Sequence, residues 1–364
     1  MRLGTLHLAL LLTLIVADVA LPAATTQPSS DLDELKRQAV ADIQKSMRGM
    51  PFLGEKNLSD VVRFEIRGGK LHPLTNLPEM PLSWIKLQGL SGWAEVAVRD
   101  FGNQKFLQQF SYRDVSAPGV VEVDTEVFSG PTTVQISRGI AVIGDGADMV
   151  QLVQAAADGP NSMGLYVQHV SADVRQSQPR HARGASLIDL YLQDPADMNA
   201  GVRPIFRLLR QEHVVFAPDP RAAYQVLADL CPIDPAVAAE TDATVAKLGA
   251  DSFDDREAAM QHLRRVGVAA ALHLMRHRDP NLTTEQSMRV DLFLAAYEPL
   301  NADLAPRLLT DPDFLLDCQF CADATIRRLA LEQARRVTGN AMSFDPRLGG
   351  PDLADALAKV RPGP

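Results

Sequence analysis

Between residues 58 and 174 hydrophobic and polar side chains alternate with a period of two. In Val121-Glu122-Val123-Asp124-Thr125-Glu126-Val127 the apolar side chains fall on one side of an extended chain and three carboxylates on the other, as in a strand with one buried and one wet face. Residues 64–67, 85–88, 95–99 and 134–137 alternate in the same way. Turn signals separate the runs, at Gly68-Gly69, Gly89, Gly102-Asn103, Ala117-Pro118-Gly119, Gly130-Pro131 and Gly144-Asp145-Gly146. Short strands with short turns predict an antiparallel meander, because parallel strands need long crossovers. The expected result is one sheet curling on itself, or a sandwich.

After residue 186 the period becomes helical. Ser186, with Asp189 three positions on, can satisfy the free amides of a helix start. Asp194-Pro195 and Asp219-Pro220 read as further starts, since proline is tolerated in a first helical turn. Ile205, Leu208 and Leu209 form the inner stripe expected of one helix, and Tyr224, Leu227 and Leu230 that of another. Residues 173–184, with Arg175, Arg180, His181 and Arg183 among Gln, Ser and Pro, read as a linker. Towards the N-terminus, Leu35, Ala39, Ile43 and Met47 step by four along a short helix over 31–49.

The C-terminal third carries a repeat. The spacing of Arg256, Ala259, Leu263 and Val266 returns in Arg327, Ala330, Ala334 and Val337, and the copies end on Gly267 and Gly339. A weaker middle copy places Arg289, Leu292 and Ala296 at the same spacing. Asp279-Pro280 and Asp311-Pro312, offset from each other much as the first two copies are, fit turns between helices. Residues 251–267 resemble the second helix of HEAT-like repeats, with a small Ala259 for close helix approach and Leu263 and Val266 facing a neighbour. The surrounding segments Asp234-Pro-Ala-Val-Ala, Leu248-Gly-Ala-Asp-Ser-Phe, Leu282-Thr-Thr-Glu-Gln286, Arg336-Val-Thr-Gly and Phe344-Asp-Pro346 are similar to exported bacterial HEAT-repeat-like proteins. The resemblance is limited to about residues 234–346. It implies a helical stack with a protein-binding surface, and brings across no catalytic residue.

The first residues have the form of a signal peptide: Arg2, an apolar core from Leu8 to Val16, Asp18, and small residues at Ala20, Ala23 and Ala24. Export to the periplasm or beyond the cell follows as an expectation, with membrane contact only through the cleaved leader. The expected class is α+β, an antiparallel β domain followed by a HEAT-like hairpin stack. Its division is a leader over 1–24, helix and linker over 25–57, the β domain over 58–174, a linker over 175–185, a helical segment over 186–249, repeats over 250–339 and a tail over 340–364. At 364 residues, 46% hydrophobic and 22% charged, the chain is long enough to bury a core without disulfide staples. Its net charge of −9 and the lack of a long basic stripe argue against nucleic acid as a partner.

Candidate chemistry is sparse. Cys318-Gln-Phe-Cys321 offers a disulfide, two reduced packing residues or a thiol-exchange pair, and Cys231 stands as a third, odd cysteine. Ala322 occupies the position where covalent haem attachment needs histidine. His273 and His277 lie one helical turn apart, a spacing able to hold a metal, but Leu274 replaces the glutamate of the zinc-protease pattern. Asp145 and Asp148 beside glycines suggest a tight turn rather than a calcium loop. No Gly-x-Ser-x-Gly elbow, phosphate loop or dinucleotide fingerprint is present. The expectation is therefore a non-enzymatic binding or scaffolding protein without cofactor or metal, whose partner is an envelope protein or peptide. One alternative is a β domain that carries an apolar ligand or glycan on Trp84, Trp93, Phe106, Phe110 and Tyr112. A second is thiol redox at Cys318 and Cys321.

Overall fold

The computed structural model describes residues 41, 45, 48–61, 63–74, 80–88, 93–100, 106–114, 119–129, 133–142, 146–154, 162–170, 180–301, 303–345 and 347–361. The chain divides into two compact units, residues 1–48 and 49–364. Of the expected 31–49 helix, Ala41 and Lys45 are helical, Arg48 and Gly49 form a turn instead, and the remaining residues, like the leader, lie outside the described ones. The second unit is of mixed class, with strands between residues 52 and 184 and a helical C-terminal half. Among the described residues no helix is long and apolar enough to cross a membrane.

Among the described residues nine strands form one sheet, in the order β1 (Phe52–Lys56), β4 (Met80–Leu87), β5 (Trp93–Asp100), β6 (Phe106–Asp114), β7 (Gly119–Ser129), β8 (Thr133–Val142), β9 (Gly146–Gln154), β10 (Met163–Val170) and β11 (Arg180–Gly184). From β4 to β11 each strand pairs antiparallel with the next. Register turns alternation into rows. Val96, Phe110, Thr125, Ile136, Leu152, Leu165 and Ala182 stand opposite one another across seven strands, and Glu95, Ser111, Asp124, Ser137, Gln151, Tyr166 and His181 form the adjacent polar row. Because strand side chains alternate faces, the two rows belong to opposite faces. Val96, Leu152 and Leu165 are each 1% exposed, so these members of the first row face the core.

Two features depart from the simple meander. β1 joins β4 in parallel, its crossover running through residues 57–79. That crossover contains β2 (Phe64–Arg67) and β3 (Lys70–Pro73), which among the described residues pair only with each other. The segment 180–184, expected within a linker, is the edge strand β11. Its inward residues are Ala182 and Gly184, too small to register as a hydrophobic run, while His181 and Arg183 face solvent.

Helix α1 (Leu58–Val61) lies within the β1–β4 crossover, and α2 (Leu187–Gln193) follows the last strand. α2 opens with the Ser186 and Asp189 capping box read from the sequence. Helix α3 runs through Pro195–Asp197, a π-type turn at Met198–Val202, and Arg203–Leu208. It lies close against β9: a Cβ on Gly201 would come within 2.6 Å of Val150. α4 (Glu212–Val215), α5 (Pro220–Val226), α6 (Pro235–Lys247), α7 (Phe253–Val266), α8 (Val268–Arg276), α9 (Thr284–Leu294), α10 (Leu304–Leu309), α11 (Pro312–Asp317), α12 (Ala324–Thr338) and α13 (Gly350–Val360) follow. Asp194, Asp219, Asp234 and Asp311 N-cap α3, α5, α6 and α11, each accepting from a backbone amide two or three residues on, past the proline that begins the helix.

Among the described residues two apolar cores result. The main one joins strand residues such as Ile85, Leu152 and Leu165 to helix residues such as Val202, Phe206, Leu227, Leu316 and Ala330. A smaller one is built by α6 to α9, around Leu248, Leu263, Ala270, Val290 and Phe293.

Candidate functional site

The first and last repeat copies share more than sequence. The Arg256 guanidinium donates to the carbonyls of Ala250 (2.7 Å) and Asp251 (2.9 Å). That of Arg327 donates to Cys321 (2.8 Å) and Ala322 (2.7 Å), the positions in the later copy that correspond to Ala250 and Asp251. In each case the arginine folds back over its own helix start and consumes carbonyls of the entering turn. Ala259 and Ala330 are buried, as are Leu263 and Ala334. Gly267 and Gly339 take positive φ of 70° and 68° at the two helix ends. The copies serve different cores, Ala259 and Leu263 the smaller and Ala330 and Ala334 the main one.

The middle copy does not match. Leu292 is 64% exposed and Ala296 is exposed, whereas their counterparts are buried. Arg289 pairs with Glu285 (2.6 Å) and Glu257 (3.0 Å) instead of turn carbonyls. α9 is rotated by one residue, so that Val290, Phe293 and Leu294 face inward.

The strongest constellation among the described residues was not read from sequence. Arg203, 2% exposed, donates twice to Asp317 (2.8 and 2.7 Å), once to Glu212 (3.1 Å) and once to Asn199 (2.9 Å). Its guanidinium also lies 3.9 Å from the centre of the Phe216 ring. Arg361 donates to Asp313 (2.7 Å) and to Asp317, and Arg207 to Glu212 (2.7 Å). Burial opposes the charge on Arg203, but Asp317 and Glu212 outweigh it and raise its pKa. This ionic lattice ties α3, α4 and α11 to Arg361, just after α13.

Beside it lies an open cleft of about 740 Å³. Its walls come from the β2–β3 turn (Ile66, Gly68, Gly69), α2 (Leu187, Ile188, Tyr191), the segment Val214 to Ala222, Pro299 with Leu300, and Phe314 with Asp317. Gly69 is required where the hairpin meets α2: its φ is +76°, and a Cβ would sit 2.7 Å from that of Ser186. The polar groups on the wall are engaged. Tyr191 donates to Asp311 at 2.9 Å. Burial, then the Asp311 carboxylate, pushes the phenol far above its ordinary range, so it stays protonated. Burial also raises Asp311. Asp219 is held below its usual range by hydrogen bonds from Arg221. The cleft thus offers an apolar surface with a neutral hydroxyl and internally paired charges.

Cys231, Cys318 and Cys321 are buried, and this structure draws no bond between Cys318 and Cys321. Cys318 and Cys321 bracket a single turn closed by a 3.1 Å bond from the Cys321 amide to the Cys318 carbonyl. A second cavity, of about 590 Å³, reaches Cys321 and also touches His213, Phe320, Arg327, Arg328 and Arg347.

His273 and His277 do sit side by side, ring centres 5.5 Å apart. His273 is bonded to Asp242 (2.7 Å) and His262 to Glu240 (2.7 Å), so α6 holds both rings separately. Among the described residues no group of three or more ligand-type side chains could hold a metal. Of the aromatics considered for the sheet, Trp84 stacks on Phe52 at 3.9 Å. The side chains of Trp93, Phe106, Phe110 and Tyr112, and of Asp148, lie outside the described set, as does Asp145. Comparison with known proteins finds no family model, no curated protein and no solved structure that matches this chain.

Proposed function

We propose that this is an exported, non-enzymatic binding or scaffolding protein of the cell envelope, which holds an apolar group of its partner in the cleft between the β2–β3 hairpin and the helices. The curled sheet and a HEAT-like arrangement of the helical half belong to this reading. The observation that carries it is the cleft itself: about 740 Å³ walled by several separate stretches of chain and fixed by a buried ionic lattice. A preformed, mainly apolar concavity with few polar groups is the usual form of a ligand site. Its carboxylates and hydroxyl are already paired, which favours recognition by shape over proton transfer. The equivalent arginine braces at Arg256 and Arg327 support a repeated helical design.

The test is binding of a neutral, environment-sensitive naphthylamine dye to the full chain. Saturable binding at one site is expected, and Ala217→Trp, which fills the cleft from its loop wall, should abolish it. Undiminished binding by a folded Ala217→Trp protein would move the ligand site elsewhere.

A further inference from the structure

The second cavity gives Cys318 and Cys321 a role that the cleft does not use. We infer that these two cysteines are a thiol–disulfide exchange pair for small anionic disulfides, with Cys321 the attacking sulfur and Cys318 the resolving one. Two observations converge. Cys321, 5% exposed, forms part of the wall of the 590 Å³ cavity, whereas Cys318 is 0% exposed and does not line it. The turn that joins them is closed by the bond from the Cys321 amide to the Cys318 carbonyl, and such a turn holds its end Cα atoms within about 7 Å. Disulfides bridge Cα atoms roughly 4.4–6.8 Å apart, so oxidation needs no large backbone movement.

Accessibility orders the two thiols. Burial, then the neighbouring Cys321, pushes the Cys318 thiol well up. Cys321 therefore meets an incoming disulfide first. Charge selects the substrate. Among the described residues Arg327, Arg328 and Arg347 line this cavity and no carboxylate does, although Glu332 and Asp345 pair with two of them from outside it. An anionic disulfide is drawn to such a wall.

The exchange balances. The Cys321 thiol gives up its proton and attacks one sulfur of the substrate, forming a mixed disulfide and expelling the first substrate thiolate, which takes that proton. Cys318 then attacks the Cys321 sulfur, closing the protein disulfide and expelling the second thiolate, which takes the Cys318 proton. The substrate disulfide is reduced to two thiols, and the protein dithiol is oxidised to one disulfide.

The probe is the dianionic aromatic disulfide dithiobis(nitrobenzoate), mixed with reduced full chain carrying Cys231→Ser. Two aromatic thiolates per protein should be released, leaving no adduct, and peptide mapping should join Cys318 to Cys321. Cys318→Ser should stop at a stable adduct on Cys321, and Cys321→Ser should lose the fast phase. Arg347→Gln should slow the fast phase several-fold at low salt, within the roughly 10-fold or greater scale of electrostatic steering. A persistent adduct in the chain with both cysteines, or a fast phase that survives Cys321→Ser, overturns the pair. A rate unchanged by both Arg347→Gln and added salt overturns the anionic preference. The mapping needs no variant of either cysteine, so a misfolded mutant does not remove the test.

Discussion

Replacing Asp317 by alanine should be among the most damaging single changes to the helical half. Asp317 is 3% exposed and accepts two hydrogen bonds from Arg203 and one from Arg361. Their side chains are 2% and 8% exposed, so neither guanidinium can turn to water when the carboxylate is removed. Asp313 still holds Arg361 at 2.7 Å, but Arg203 then keeps one carboxylate, Glu212 at 3.1 Å, which it shares with Arg207. Breaking a buried pair from one side costs about 3–5 kcal/mol. The exposed pair Arg328–Glu332 is the internal reference, for which loss of the acid should cost about 0.5 kcal/mol or less. In urea, with a slope of about 3 kcal/mol/M, Asp317→Ala should lower the unfolding midpoint by about 1 M or more and Glu332→Gln by little. Adding Arg203→Met to Asp317→Ala should cost less than the two single losses summed, by about 1 kcal/mol or more, because the second change removes an orphaned charge. If Asp317→Ala moved the midpoint no further than Glu332→Gln, the lattice would be contributing no more than a surface pair and the argument would fail.

Gln154 donates to and accepts from the backbone of Leu71 at 2.9 Å, so Gln154→Met should leave two buried main-chain groups unpaired. A loss of about 1–3 kcal/mol for each, and faster hydrogen exchange at the Leu71 amide, would be seen by native-state exchange; protection equal to wild type would refute it. Arg256→Gln and Arg327→Gln should destabilise by similar amounts, about 1.5–3 kcal/mol, since each removes two charge-assisted bonds to turn carbonyls. Strongly unequal shifts in thermal unfolding would show that the braces are not equivalent. Burial, then Arg210, lowers the pKa of His213 below its ordinary 6.5. The folded state thus binds this proton less readily than the unfolded chain. Its stability contribution is complete above pH 6.5 and falls as pH drops below that value towards the folded pKa. His213→Asn should flatten the pH dependence of the urea midpoint just below pH 6.5, and an unchanged slope would count against this.

Much of the architecture was legible because the physics is local. Alternation in 121–127 and its neighbours identified the long strands, and Ser186 with Asp189 marked a helix start through a bond spanning three positions. The spacing of Arg256 and Arg327 carried real geometry, down to the carbonyls each arginine reaches. What failed depended on choices that local pattern leaves open. Alternation at 64–67 sets a face but not a partner, so the β2–β3 hairpin could not be separated from the main sheet. In β11 the inward residues are Ala182 and Gly184, which carry almost no hydrophobic signal. In α9 the rows 289/292/296 and 290/293/297 both have helical spacing, and packing on α7 and α8 decides between them. The ionic lattice and the cleft draw on stretches of chain far apart in sequence. A faint trace of the lattice was present all the same: Arg203 beside Ile205 and Phe206, and Asp317 directly after Phe314-Leu315-Leu316, are charges placed within apolar stripes.

The small hairpin has a consequence for how this chain comes together. Among the described residues its outer backbone groups find no third strand; the Phe64 amide is received by the side chain of Gln211 at 2.8 Å, and Leu71 is held on both sides by Gln154. Those side chains emerge 147 and 83 residues later in the chain. During synthesis from the N-terminus, residues 64–73 must wait, as an incomplete pair of strands, until the start of the helical half is made. Closing such long loops is slow relative to local pairing. The hairpin is therefore a late, order-dependent joint between halves, and truncation before residue 211 should leave it unformed even when every strand of the sheet is present.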